Sequence, residues 1–183
     1  MDLRLQATSD LRHLAELIRA RNANEVGITD LIGRPAQVGH IGEYIAARVF
    51  DISLEESAAS KSIDGHFVDG PLAGRSVNVK WYARQEGIID VTPNALPDSY
   101  LVLTGPRSAA TSSRGQVRPW IITFVYLFDA QRLLDALEQG GVKTGIATSV
   151  KRWLWDEAEV YPNQQNNRLS LSTEQRGLLA LFA

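Results

Sequence analysis

The chain contains no cysteine. That excludes disulfides, thiolate nucleophiles and cysteine-based zinc sites together. Its three histidines, His13, His40 and His66, lie far apart and do not form the spacing of a histidine zinc site. A bound metal is therefore expected to be a hard ion held by oxygen. No apolar run approaches membrane-spanning length. The start, Met1-Asp2-Leu3-Arg4, is followed by no long apolar stretch, so no signal peptide and no membrane partner are expected, and the expected location is the cytoplasm. There is no internal repeat or low-complexity tract. There is also no Walker-type glycine loop, dinucleotide fingerprint, nucleophile elbow or zinc-protease pair. Neither sign of charge dominates: 19 Lys and Arg face 21 Asp and Glu, for a net charge of −2 and a pI near 5.9. This balance argues against wholesale coating of nucleic acid. A local basic cleft remains compatible with it, because charges beyond about 8 Å are screened at physiological salt.

What is present is ordinary for a globular protein: 44% hydrophobic and 22% charged residues in 183 positions. A chain of this length is expected to form a single domain, 1–183, and to bury about 70% of its unfolded surface. Ser9 is placed to cap a first helix carrying Leu11, Leu14, Leu17 and Ile18, with Asn22 to Asn24 and Gly27 ending it. From about Gln37 a second helix carries Val38, Ile41, Ile45, Val49 and Ile52 as one stripe. Serine and alanine at 57–60 mark a loop. Strands are expected at Ile63–Val68, 76–82, Ile88–Val91, Tyr100–Leu103 and Trp120–Phe128, the last buried on both faces. Asp129 caps a helix through about Gln139, with Leu133, Leu134 and Leu137 inward. The segment 142–162 is ambiguous. Ser172 and Gln175 form a capping-box pattern before a final helix. The order predicts an α/β fold, a mixed central sheet of at least four strands flanked by helices.

The polar residues that break these patterns are the candidates for chemistry. Alternation along Val77-Asn78-Val79-Lys80-Trp81-Tyr82 puts Asn78 and Lys80 on one face of a strand. Lysine is rarely an inner-face residue without a partner, and asparagine is disfavoured in strands. An edge strand with a solvated lysine is the plainer reading. Asp64 is placed at the tip of a hairpin-like stretch, where Asp64-Gly65 also reads as a simple turn pair. Glu43 falls among Gly39, Ala46, Ala47 and Phe50 on the second helix, so it is expected to be half-buried and in need of a cation. A surface glutamate paired with an arginine is its plainer reading. His66 shares a side with Asp64 and is read as structural.

Glu43 on a helix, then Asp64, then Asn78-Val79-Lys80 on the next strand resembles the PD-(D/E)XK nuclease superfamily, which includes many restriction endonucleases. The resemblance covers roughly residues 37 to 128. It implies a restriction endonuclease-like core over about 37–140, with an N-terminal helix and a C-terminal helical extension. It also implies a Mg²⁺-dependent (or Mn²⁺-dependent) DNA endonuclease, of restriction or defence type, that hydrolyses a phosphodiester through a metal-activated water. Carried over, Asp64 is a metal ligand, Asn78 takes the place of the usual second acid, the Val79 carbonyl is a further ligand, and Glu43 serves a second metal. Lys80 orients the water and stabilises developing charge. Cutting two strands implies a two-fold homodimer.

Asn78 departs from the superfamily pattern, since it is neutral. Two alternatives follow: a non-cleaving nucleic-acid-binding or assembly subunit on the same fold, and a protein with no nucleic-acid partner. The loop 105–119 carries Arg107, Arg114 and Arg118 and no acid, and is read either as a phosphate-tracking segment or as a solvated loop. Arg84 and Gln85 are placed to touch a phosphate or a base edge. Lys151 and Arg152 beside Trp153 and Trp155 form a second candidate surface, although such tryptophans more often pack.

Overall fold

The computed structural model describes residues 3–55, 62–109 and 117–183, so the loop expected at 57–60 lies outside the described residues. The chain separates into two compact units, residues up to Ile41 and Gly42–Ala183. The first is dominated by α1 (Leu3–Ile32), one continuous helix of 30 residues. Ser9 lies inside it, and Asn22, Asn24 and Gly27 do not end it. A single internal glycine costs only about 1 kcal/mol, which the helix tolerates. The stop comes at Gly33, whose φ of +70° and N–H bond to the Thr29 carbonyl close the last turn.

Helix α2 (Val38–Val49) runs on into the second unit and buries Gly42, Ile45, Ala46 and Val49. It ends because Asp51 turns to a φ of +52°, so Ile52 belongs to the first strand rather than to the helical stripe. Strands β1 (Ile52–Leu54), β2 (Gly65–Phe67) and β3 (Ser76–Tyr82) form an antiparallel meander. Strand β4 (Ile88–Ile89) leaves the main sheet and pairs only with β7 (Thr148–Ser149). Strand β5 (Ser99–Thr104) returns parallel to β3, and β6 (Phe124–Asp129) is antiparallel to β5. Helix α3 (Ala130–Gln139), capped by Asp129, and helix α4 (Arg152–Ala158) precede edge strand β8 (Glu159–Tyr161) and helix α5 (Thr173–Ala180). The main sheet has the order β1-β2-β3-β5-β6-β8. This is the expected mixed α/β sheet, with six strands.

Several expected boundaries move: β2 spans Gly65–Phe67 rather than Ile63–Val68, β4 stops at Ile89 rather than Val91, and β5 runs Ser99–Thr104 rather than Tyr100–Leu103. Strand β6 begins at Phe124 rather than Trp120, and Trp120 stays 46% exposed beside the ring of Trp81. The ambiguous stretch holds β7, α4 and β8, so Trp153 and Trp155 are helical neighbours rather than residues at strand spacing. The capping box of Ser172 and Gln175 forms as expected, and Gln175 Nε2 also donates to the Val49 carbonyl at 2.8 Å.

The two faces of the sheet differ. Trp81 meets α2, where a Cβ on Gly42 would stand 3.2 Å from the Trp81 Cβ. The other face carries Tyr82 from β3, Tyr100 and Val102 from β5, and Tyr126 and Phe128 from β6. It packs under Leu133 and Leu137 of α3, Leu154 and Trp155 of α4, and Ile89 of β4. Alternation puts Asn78 and Lys80 on this second face.

The start of β3 is pinned by Asp98, just before β5. Its Oδ2 accepts from the Ser76 backbone N–H and hydroxyl, both at 2.8 Å, and these bonds hold its carboxyl below the usual carboxylate range. Gly65 is demanded by close packing: a Cβ there would lie 2.4 Å from the Ser53 carbonyl and 2.8 Å from an Ile52 methyl. Gly65→Ala is expected to cost about 2 kcal/mol by forcing β1 and β2 apart. A urea-unfolding midpoint equal to wild type would show that β1 yields freely.

Candidate functional site

The pair Asp64-Gly65 is not a turn, which corrects the sequence reading. The tip of the β2–β3 hairpin is the short 3₁₀ turn Gly70–Leu72, while Asp64 stands at the opposite end, where β2 begins. The chain bends earlier, at Ser62, with a φ of +75°. Asp64 is then gripped from both neighbours. Its N–H donates to the Val77 carbonyl at 2.9 Å, and its carbonyl accepts from Glu55 N–H at 2.9 Å. Its carboxylate Oδ2 accepts from the Val79 N–H at 2.7 Å. A side-chain oxygen thus serves β3 just where β2 gives way, and the carboxylate is fixed beside the residue preceding Lys80.

Asn78 is buried, at 8% exposure, and its amide oxygen Oδ1 is buried without a hydrogen-bond partner. An orphaned polar atom of this kind costs about 1–3 kcal/mol. A hard cation satisfies such an oxygen. The donor set at this end of β3, one carboxylate and one amide oxygen, is the chemistry a hard divalent ion takes. It is one charge poorer than a two-acid site. Among the described residues no group of three or more His, Cys, Asp and Glu is placed to hold a metal.

Lys80 is half-buried, with its Nζ 5.5 Å from the centre of the Tyr100 ring. Burial lowers its pKa, and the carboxylates of Asp90 and then Asp64 oppose that shift. Both carboxylates therefore act electrostatically on the lysine. Asp90 was not among the sequence candidates. Its Oδ1 accepts from the Ala147 N–H at 2.7 Å, its Oδ2 accepts from the Tyr82 hydroxyl at 3.3 Å, and its own N–H donates to that hydroxyl at 3.0 Å. Burial raises the Tyr82 pKa and keeps the phenol neutral. The available signal was an acid, Asp90, inside the otherwise apolar expected strand Ile88–Val91.

Glu43 is half-buried on α2, next to Gly42, whose contact is with Trp81 on the face away from Lys80. His66 pairs with Glu55 at 3.1 Å, in keeping with a structural role. Two arginines of the loop, Arg107 and Arg118, are held in ion pairs. Arg107 donates to Glu159 at 2.7 Å and lies 3.5 Å from Asp156, and its guanidinium sits over the Phe124 ring. Arg118 donates to Glu86 at 3.0 Å, and Arg84 donates to the Val117 carbonyl at 3.2 Å. Arg114 lies outside the described residues. Gln85 extends the β3–β5 pairing: its N–H reaches the Pro106 carbonyl and its carbonyl takes the Ser108 N–H, each at 3.0 Å. Trp155 is a packing residue, edge-on to Tyr126 and Phe128 at 4.8 and 4.9 Å.

No family model matches this sequence, and no curated protein matches it either. Among the described residues no helix is long and apolar enough to cross a membrane. The fold and the site define a mixed α/β protein with an acid–amide–lysine group on one strand face.

Proposed function

We propose that this chain is a metal-dependent nuclease of the PD-(D/E)XK type, acting on DNA with Mg²⁺ or Mn²⁺. The observation that carries the reading is the buried, unpartnered Asn78 Oδ1 on the strand face of Lys80, with the Asp64 carboxylate bonded to the residue between them. Asp64 and Asn78 would hold the ion, with the Val79 carbonyl as the further oxygen donor of the family pattern; Glu43, the helix donor of that pattern, stands on α2 against the Trp81 face and is not part of this set. When bound, the ion supplies positive charge and a nucleophilic water near neutral pH. The chain supplies the rest. Asp90 and Asp64 favour a protonated Lys80 against the effect of burial. A protonated lysine in a partly dry site offsets the negative charge that develops on the phosphate as the P–O bond breaks. Cutting both strands would use two copies related by a two-fold axis.

The test is nicking of a supercoiled plasmid with Mg²⁺ or Mn²⁺. Asp64→Ala is expected to reduce cleavage at least a hundredfold, as losing a metal ligand should. Cleavage that survives this change would remove the proposed site. A second reading, a non-cleaving nucleic-acid-binding or assembly subunit, is favoured by the neutral Asn78 in place of an acid. Asn78→Glu separates the two. Activity gained from none indicates a decayed site, and loss of existing activity indicates an adapted one.

A further inference from the structure

A second site lies on the same sheet face, beyond the carboxyl ends of the parallel strands β3 and β5. A cleft of about 380 Å³ is lined there by Gln85, Gly87, Ser108, Val150, Arg152 and Trp155, together with Glu86, Arg107 and Asp156. It draws together residues from four separate stretches of chain. Gln85 is bridged to Arg107 across the extended strand pairing, with the Ser108 N–H on the Gln85 carbonyl. Gly87 and Val150 close the far side through a 2.8 Å backbone bond. Trp155 and Arg152 come from α4. The carboxyl ends of parallel strands are where open α/β sheets place their ligands.

Two polar atoms of this lining have no partner: the Trp155 indole Nε1–H and the Ser108 hydroxyl are both buried and unbonded. Trp155 is 2% exposed, so its N–H cannot turn to solvent for an acceptor. The charges balance locally. Arg107 and Arg152 both lie 3.5 Å from Asp156, and Glu86 is paired with Arg118. A charge-balanced cleft does not select an anion. It offers Val150 as an apolar lining residue and both donors and acceptors at its edge. That combination matches a planar heterocycle with hydrogen-bonding edges, and pockets of a few hundred Å³ take ligands of this size.

We propose that this cleft receives an unstacked nucleobase of a nucleic-acid strand. The Ser108 hydroxyl and the Gln85 amide would read the base edge. The proposal deepens the nuclease reading and rests on it for the identity of the strand. Its test is kept apart from cleavage by working in EDTA. Binding of a short single-stranded oligodeoxynucleotide is measured by fluorescence anisotropy, alongside the same backbone made abasic throughout. Wild type is expected to prefer the base-bearing strand about tenfold or more, since a base contact is worth roughly 1–3 kcal/mol. Ser108→Ala and Gln85→Ala, each checked for a wild-type melting temperature, are expected to remove most of that preference. Equal affinity for the two strands, or variants that keep the full preference, would overturn the proposal. A free nucleoside monophosphate that binds as tightly as the oligonucleotide, and responds to the same variants, would overturn the strand and assign the cleft to a free nucleoside. A protein that shows the base preference but never nicks a plasmid has failed only the cleavage reading.

Discussion

Lys80→Met is expected to slow plasmid cleavage by about 10²–10³-fold while leaving the protein at least as stable as wild type at pH 7. The rate loss follows from removing a cation beside the developing charge, an effect of about 3–4 kcal/mol in sites of this kind. The stability result has the opposite cause. Burial is the largest influence on Lys80 and works against its charged form. Methionine fills a similar length without a charge to desolvate. The pH dependence follows from the same imbalance. A lysine whose folded pKa is lowered binds fewer protons in the folded than in the unfolded state, in the window between its folded value and about 10.5. Wild-type stability from this group therefore rises as pH climbs through that window, and the advantage of Lys80→Met shrinks. Melting temperatures measured at pH 7 and pH 10 check the sign. A variant that keeps cleavage, or one that melts well below wild type at pH 7, contradicts the assignment of Lys80 as a desolvated site cation.

The second large effect falls on Arg107. Arg107→Ala is expected to cost about 2 kcal/mol in urea unfolding, because losing the half-exposed guanidinium leaves a buried carboxylate without its cation. The stranded partner is Glu159, 3% exposed, whose carboxylate also accepts from the Asn163 N–H at 3.2 Å and Nδ2 at 2.9 Å. Adding Glu159→Gln to the same chain should recover most of the loss, since the uncompensated charge is then gone. The salt dependence of DNA binding should change by less than one unit of slope, since a guanidinium held by Glu159 is not releasing counterions from a phosphate. A normal unfolding midpoint combined with a full unit of lost slope would return Arg107 to the phosphate-tracking role suggested by its loop.

The legible parts of this chain are those decided within a few residues. The cap and inward leucines of α3, the capping box of α5 and the alternation of β3 all formed where the pattern put them. The misread parts share a cause. Asp64-Gly65 has the composition of a turn, yet its glycine answers to the Ser53 carbonyl of another strand. Residues 120–123 are apolar enough for a strand, but β5 and β8 pair only with β6 from Phe124 onward. Asp90 escaped notice because its role depends on a two-residue ladder with β7, nearly sixty positions later.

The sequence by itself determined the mixed α/β class, the strand face shared by Asn78 and Lys80, and the oxygen character of any metal donor set. Those follow from backbone period and residue chemistry, which are local. Only the tertiary structure decided that the Asp64 carboxylate bonds Val79, that Asp90 is the second acid acting on Lys80, and that Arg107 is held by Glu159. Charge pairing falls off over a few ångströms, so it is governed by strand register and helix placement, and these arise only when distant segments pack.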